Sequence, residues 1–441
     1  MFGPRRRSVR RTCVAALLGI LGLCGVAAAQ SVTAPADTSG EARRIFDQAR
    51  EKLLQIRTLA LPSRSQASTG SGFVVSADGL VVTNYHVVSQ AALEKAPYAL
   101  EFVAVDGQSG PLEIVALDVQ HDLAILKREG TALPVLGLAA AASDMRRGEK
   151  LFSLGKPLDL GFVINEGLYN GLVERDLYGH LLFSGALNAG MSGGPALDAE
   201  GRVAGINVAR RLDGQLVSFL IPVRYLHQLL AAARPPLQLL AQRQAEIGRQ
   251  LMAHQETVIE TLLAQPWPTQ IQGGYQVPVL PETLARCWGA NNADGGSGIT
   301  SSSTQCNLGA VRFVTGSLSL GNLRIEYRHH ETTKLDSWRF WSAMRAQFGD
   351  RVFGARKDRQ RTPPRCEEAD VATAIGTQRV VMCLSAFHRF EELYQFTMLT
   401  LSLDAAGAAL TSQITADGVT EANAQRLARR LLYGMRWNPA R

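Results

Sequence analysis

The sequence has little charge, few cysteines and no internal repeat. It also has no apolar run long enough to span a bilayer comfortably. Asp, Glu, Lys and Arg make up 19% of its 441 residues, below the usual quarter for a soluble domain. The formal net charge is +7, but Arg5, Arg6, Arg7, Arg10 and Arg11 stand in the first eleven residues with no acid beside them, and setting those five aside leaves +2. So small an excess argues against nucleic acid as a partner. Zinc-type cysteine spacing is missing too. His329, His330 and Glu331 have no cysteine or second acid at ligand spacing, so they read as a solvated strand end. Arg324, Arg328, Arg339 and Arg345 are scattered, as on exposed faces. No metal and no cofactor is expected.

The N-terminus does have a pattern. The five arginines precede a short apolar run, Cys13 to Val26, and then Ala27-Ala28-Ala29. A basic segment, a short apolar core and small residues at the cut describe a secretory signal peptide over residues 1–29. The mature protein is then exported, periplasmic or secreted, with no membrane span left. Two of the six cysteines leave with the signal. Cys287, Cys306, Cys366 and Cys383 remain, an even number in an exported chain, which suggests disulfides. Of the three connectivities, Cys287–Cys306 with Cys366–Cys383 closes the shortest loops. Residues 289–303, rich in glycine and serine, suit a tethered loop.

A hydrophobic content of 46% is ample for packed cores, and the length allows two or three domains. Residues 30–67 read as an N-terminal helix and linker, with Ile45, Ala49, Leu53 and Ile56 on one helical face over 41–61. From Ser71 the period changes. Short apolar strands follow to Ile221, separated by turns, which indicates an all-β sandwich or a pair of barrels over 68–234. A closing helix ends it, and Pro235-Pro236 marks a boundary. Residues 235–268 form a helical connector with Leu240, Ile247, Leu251, Val258 and Leu262 in one stripe. The alternating spacing does not sustain a coiled-coil heptad, so the helix is expected to pack on a domain. Residues 269–441 read as a smaller α+β domain of unassigned role. A helix over 337–348, with Trp341, Met344 and Phe348 inward, ends at Gly349, and Thr420 caps a terminal helix.

Three motifs carry chemistry. Thr83-Asn84-Tyr85-His86-Val87-Val88 puts a histidine at the end of an apolar strand. His121-Asp122-Leu123 puts an aspartate at the start of another, with His121 incidental beside it. Asn188-Ala189-Gly190-Met191-Ser192-Gly193-Gly194-Pro195 exposes a serine in a glycine turn before a strand. The order His, Asp, Ser matches a nucleophile, a base and an orienting carboxylate. Ser192 would attack a carbonyl, His86 would relay its proton, and Asp122 would hold the imidazole. The N–H groups of Gly190 and Ser192 would receive the oxyanion.

With Gly70-Ser71-Gly72-Phe73, Gly155-Lys156-Pro157-Leu158 and the run from Gly201 to Asn207, these motifs resemble the HtrA/Deg-type trypsin-like serine peptidases. The resemblance spans about residues 68–230. It implies a mainly β fold, two six-stranded barrels with the catalytic residues in the cleft between them, and a homo-oligomer, often a trimer. Two departures stand out. Met191 stands where the family usually has asparagine and trypsins have aspartate; without a carboxylate there a trypsin-style ion-pair switch is excluded, and the oxyanion turn has weaker support. No PDZ domain is recognisable after Pro236.

The sequence therefore supports an exported serine endopeptidase acting on unfolded or misfolded polypeptides, as in protein quality control. The other reading is a catalytically silent protein of the same fold that binds extended peptides or a partner. Ala186 and Leu187 stand at the expected base of the specificity pocket. With no acid there, cleavage is expected after small or medium apolar residues. The substrate backbone would add as a strand beside Gly190 or the loop after Ala209.

Overall fold

Pairing with other strands, not local periodicity, decides the structure of residues 53–60. The computed structural model describes residues 40–95, 97–141, 145–210, 216–232, 237, 239–292, 296–353, 358–403 and 407–437. The signal segment, the lead-in to Ser39 and Pro235-Pro236 lie outside them. Helix α1 runs Gly40–Ala49 and buries Ala42, Ile45 and Ala49. The helix expected over 41–61 stops there. Leu53–Ala60 is strand β1, paired with β2 (Ser65–Val74) on one side and β4 (Tyr98–Ala104) on the other. The helical spacing of Ile45 and Ala49 does not continue through Leu53 and Ile56, because ladders to β2 and β4 satisfy the backbone of β1. The linker expected to end at residue 67 is a turn followed by the start of β2.

The first closed barrel is completed by β3 (Leu80–Thr83), β5 (Ser109–Asp118) and β6 (Leu123–Lys127), in the order β1-β2-β3-β6-β5-β4. Helix α2 (Tyr85–Leu93) interrupts it after β3. The second barrel holds β7 (Lys150–Gly155), β8 (Val163–Leu172), β9 (Leu181–Phe183), β10 (Pro195–Leu197), β11 (Val203–Arg210) and β12 (Ser218–Pro222). It closes as β10-β11-β12-β9-β8-β7, and helix α3 (Val223–Ala231) follows. Each barrel has its own apolar core: Phe152, Phe183 and Leu220 in the second, Ile56, Val81 and Leu126 in the first.

Helix α4 (Leu240–Ala264) spans 25 residues, about 38 Å at 1.5 Å per residue. Its Ile247 and Leu251 join the core of the first barrel, and its Val258, Ile259 and Leu262 join the core of the C-terminal region. That region contains β13 (Thr269–Gln272), β14 (Tyr275–Pro278), β15 (Ala285–Asn292), β16 (Thr300–Leu308), β17 (Arg312–Thr315), β18 (Leu318–Leu320), β19 (Leu323–Glu331) and α5 (Ser337–Phe353). Then come β20 (Arg365–Thr373), β21 (Gly376–Ala386), β22 (Tyr394–Ser402), β23 (Ala408–Val419), α6 (Glu421–Leu432) and β24 (Arg436–Trp437). A seven-stranded antiparallel sheet ordered β15-β16-β19-β23-β22-β21-β20 carries the core under α4 and α6. Thr420 caps α6 by accepting from the Asn423 N–H.

Three expectations change here. Residues 289–292 and 300–303 are not loop but lie in the paired strands β15 and β16, with Cys287 opposite Cys306. Helix α5 runs past Gly349 to Phe353, and its most buried side chains are Phe340 and Met344. His329 and His330 are buried on β19 rather than solvated, with the His330 ring 3.3 Å from the Thr411 hydroxyl. Among the described residues no cluster of histidine, cysteine or acid could hold a metal, and no helix is long and apolar enough to cross a membrane.

Candidate active site

Asn84, extended, follows β3 as the N-cap of α2, so His86 stands in the first turn of that helix rather than at the end of a strand. Asp122 lies just before β6 in the left-handed region (φ 55°), a conformation its short polar side chain tolerates. Its carbonyl accepts from the Tyr85 N–H (3.2 Å) and from Asn84 Nδ2 (2.8 Å). Its carboxylate reaches the same helix start from the other end. One oxygen accepts the His86 backbone N–H at 2.8 Å, and the other lies 2.7 Å from His86 Nδ1. Four hydrogen bonds therefore tie the two segments, and the imidazole is aligned by Nδ1. Burial lowers the His86 pKa, but the charge and hydrogen bond of Asp122 outweigh it, so the net displacement is upward.

The serine turn is stitched to the first barrel. Ser71 N–H donates to the Ser192 carbonyl (2.7 Å), and Ser71 Oγ donates to the Gly190 carbonyl (2.7 Å). Thr83 Oγ1 donates in turn to the Ser71 carbonyl (2.8 Å). Gly193, at φ 83°, lies so close that a Cβ there would stand 2.8 Å from the Asn84 nitrogen. Ser192 thus abuts the residues that launch α2. Its hydroxyl donates to the Val208 carbonyl at 3.3 Å. Among the described residues it has no hydrogen bond to His86.

Met191 does not leave the turn slack. Its side chain is fully buried in the second barrel. Its N–H donates to the Asn188 carbonyl (3.0 Å), and its own carbonyl accepts from the Gly194 N–H (3.1 Å) and Asn207 Nδ2 (3.3 Å). The Ala189 carbonyl accepts from the Leu158 N–H (3.0 Å). A trans peptide points its two polar groups in opposite directions, so that bond turns the Gly190 N–H away from Leu158. Neither the Gly190 nor the Ser192 N–H donates to another group among the described residues.

Ala186 is half-buried and its carbonyl accepts from Asn165 Nδ2 (2.8 Å). Leu187 belongs to the core of the second barrel. Ser218 Oγ donates to the Gly185 carbonyl (2.8 Å), fixing the same segment. The supports that sequence reasoning missed are Ser71, Asn207 and Asn84. Ser71 sits in the Gly-Ser-Gly-Phe motif and Asn84 in the histidine motif, but their roles need partners on other strands. His121 is not idle either. Its ring stacks on Tyr225 at 3.7 Å between centroids, and its Nδ1 lies 2.7 Å from Asp118.

The two cystine bridges join neighbouring strands. Cys287 to Cys306 spans β15 and β16, and Cys366 to Cys383 spans β20 and β21.

The trypsin-like peptidase domain family matches residues 70–206. Serine protease HTRA1 of Xenopus tropicalis is 30% identical over 256 residues, 54% of this chain and 54% of that protein. Serine protease HTRA4 of Homo sapiens is 35% identical over 173 residues, 37% of this chain and 34% of that protein. A solved serine endoprotease from Yersinia pestis, 22% identical, covers 43% of this chain and 65% of its own with a TM-score of 0.38. The chain spans about half the length of the first of these relatives.

Proposed function

We propose, on the premise that residues 70–206 are a trypsin-like peptidase domain of HtrA type, that this chain is an exported serine endopeptidase working through Ser192, His86 and Asp122. The observation that carries the reading is that the Asp122 carboxylate accepts the His86 backbone N–H with one oxygen and meets the ring Nδ1 with the other, beside a serine turn locked against Asn84. In the reaction, Ser192 Oγ leaves the Val208 carbonyl and gives its proton to His86 Nε2 as it attacks the scissile carbonyl carbon. Asp122 keeps the Nδ1 proton in place and stabilises the imidazolium. The carbonyl oxygen, now negative, takes the N–H groups of Gly190 and Ser192. His86 then protonates the leaving amine, and a water repeats the sequence to free the acyl group.

The substrates are unfolded polypeptides cut after small or medium apolar residues. No acid stands at Gly185, Ala186 or Leu187 to meet a lysine or arginine, and a buried cation without a partner is costly. Profiling on a denatured protein library tests this, and a dominant preference for basic residues would overturn it. The loop after Ala209, proposed to pair with substrate, lies outside the described residues. Export is supported by the two disulfides, which persist in oxidising compartments.

One observation favours the silent binding protein: the Ser192 hydroxyl is turned to Val208 rather than to His86. Resting sites often tighten only around substrate, so the peptidase reading stands. A fluorophosphonate probe decides between them. Labelling of Ser192, lost in Ser192→Ala, supports the peptidase; a folded wild type that takes no label and leaves casein intact supports the binder.

A further inference from the structure

The C-terminal region is not an appendage to the barrels. Helix α2, which opens with Tyr85 and His86, is held at both ends by that region. At its start lies the hairpin β17–β18. The Tyr85 hydroxyl, fully buried, donates to the Val314 carbonyl at 2.8 Å. Val314, Leu318 and Leu320 share one core with Val87, Val88 and Ala92 of the helix. Phe313 presents its ring edge-on to the His86 imidazole, with centroids 6.0 Å apart and planes at 75°.

At the far end of α2, Glu94 receives Arg389 through two hydrogen bonds of 3.2 and 2.9 Å. Phe387, Phe390 and Leu393 pack into the same core. Helix α4 covers the last turn, with Arg243 Nε donating to the Ala92 carbonyl at 3.2 Å. The hairpin is itself anchored. Gln120, two residues before Asp122, donates to the Tyr178 hydroxyl (2.6 Å), which lies 2.5 Å from His254 Nδ1. His254 Nε2 reaches the Ala310 carbonyl (3.0 Å) at the hairpin base.

We propose that the C-terminal region positions the catalytic histidine: the hairpin Arg312–Leu320 and the segment Phe387–Leu393 clamp α2 at its two ends, and Phe313 is the positioning residue that walls the His86 ring against water. The proposal rests on the peptidase reading for its catalytic meaning, but the clamp itself is a property of the resting protein. Besides Arg243 of α4 at the last turn, these charged groups bear on the helix. Asp122 faces the imidazole from the first barrel, Arg312 acts on Asp122 from the hairpin, and Glu94 and Arg389 neutralise each other at the far end. Burial is the influence that lowers the His86 pKa, so opening the wall raises it.

The test uses full-length mature protein carrying Phe313→Ala, Phe313→Leu, Arg389→Gln or, as a control on the exposed face of α5, Trp338→Ala. The His86 ring is titrated by NMR, assigned with His86→Gln, and kcat and KM are measured on a peptide ester. Phe313→Ala is expected to raise the His86 titration by about half a unit and to cut kcat about tenfold with KM unchanged, as expected for loss of alignment rather than of binding. Phe313→Leu restores most of both, Arg389→Gln shifts them in the same direction by less, and Trp338→Ala shifts neither. If Phe313→Ala does not fold, Arg389→Gln carries the measurement. An unmoved His86 titration in the folded variants overturns the clamp. A wild type that hydrolyses nothing overturns the peptidase reading instead, and the titration still decides the clamp.

Discussion

At Gly193 a methyl group would stand 2.4 Å from both the Ser71 carbonyl oxygen and Thr83 Oγ1. The residue also needs a positive φ, so Gly193→Ala is strained in backbone and in space. The substitution is expected to destabilise the chain by about 1–3 kcal/mol and to displace Ser192, cutting peptide hydrolysis by two orders of magnitude or more, about the cost of a misplacement of 1 Å. Melts and casein assays on the same preparation check both, and a fully active Gly193→Ala would mean that the Ser71–Ser192 stitch is dispensable. Ser192→Ala removes only a half-buried hydroxyl, so it should melt like wild type while turnover falls on the order of a millionfold. Asp122→Asn should cost less, about ten-thousandfold, since the base survives in the wrong tautomer. His86 acts as a base only when neutral, and Asp122 displaces its pKa upward. The acid limb of kcat/KM is therefore expected above the ordinary histidine value, and a limb below it would show that His86 and Asp122 are uncoupled in solution.

At the scale of elements, α4 carries a group with the opposite sign. His254 is buried on α4, and burial, reinforced by the positive charge of Arg312, lowers its pKa to about 4. The fold holds it neutral between Tyr178 and Ala310. Below the ordinary value of 6.5 the unfolded chain takes a proton that the folded chain refuses. Stability is thus complete above that value and declines as pH falls toward about 4, by about 3 kcal/mol in all at 1.36 kcal/mol per unit. Denaturant titrations at several pH values should show this slope, and His254→Gln should flatten it; an unchanged slope would place the acid sensitivity elsewhere. The cystine-linked hairpins offer a second test at this scale. They close separations of 19 and 17 residues, and loops of that size are worth about 3 kcal/mol each in the chain-entropy account. Non-reducing peptide mapping should return these two pairs and no crossed product, and reduction should lower the melting temperature.

Over the whole molecule, the first barrel cannot bury its α2 side alone. Ile247, Leu251, Val314, Leu318, Leu320, Phe387, Phe390 and Leu393 all complete that core from outside the barrels. A chain ending at Ala232 would expose this surface, and large exposed apolar patches lead to association. The truncated chain is expected to aggregate or to melt well below the full-length protein. A soluble truncation with an unchanged melting temperature would show that the two regions fold independently.

The sequence by itself determined most of the strands between Ser71 and Ile221, as a sandwich or a pair of barrels, and the motif order from which His86, Asp122 and Ser192 are proposed. Alternating apolar strands, turn glycines and motif spacing are local properties, written in neighbouring residues. It also carried the pairing of the cysteines, because nearest partners along the chain close the shortest loops. Tertiary structure alone decided that Leu53–Ala60 is a strand, since the ladders of β2 and β4 override a helical spacing. Only the assembled fold buried His329 and His330 and turned the Ser192 hydroxyl to Val208. The hairpin behind His86 was equally beyond the sequence. Tyr85 and Val314 are 229 residues apart, and no local periodicity records a contact made across that length of chain.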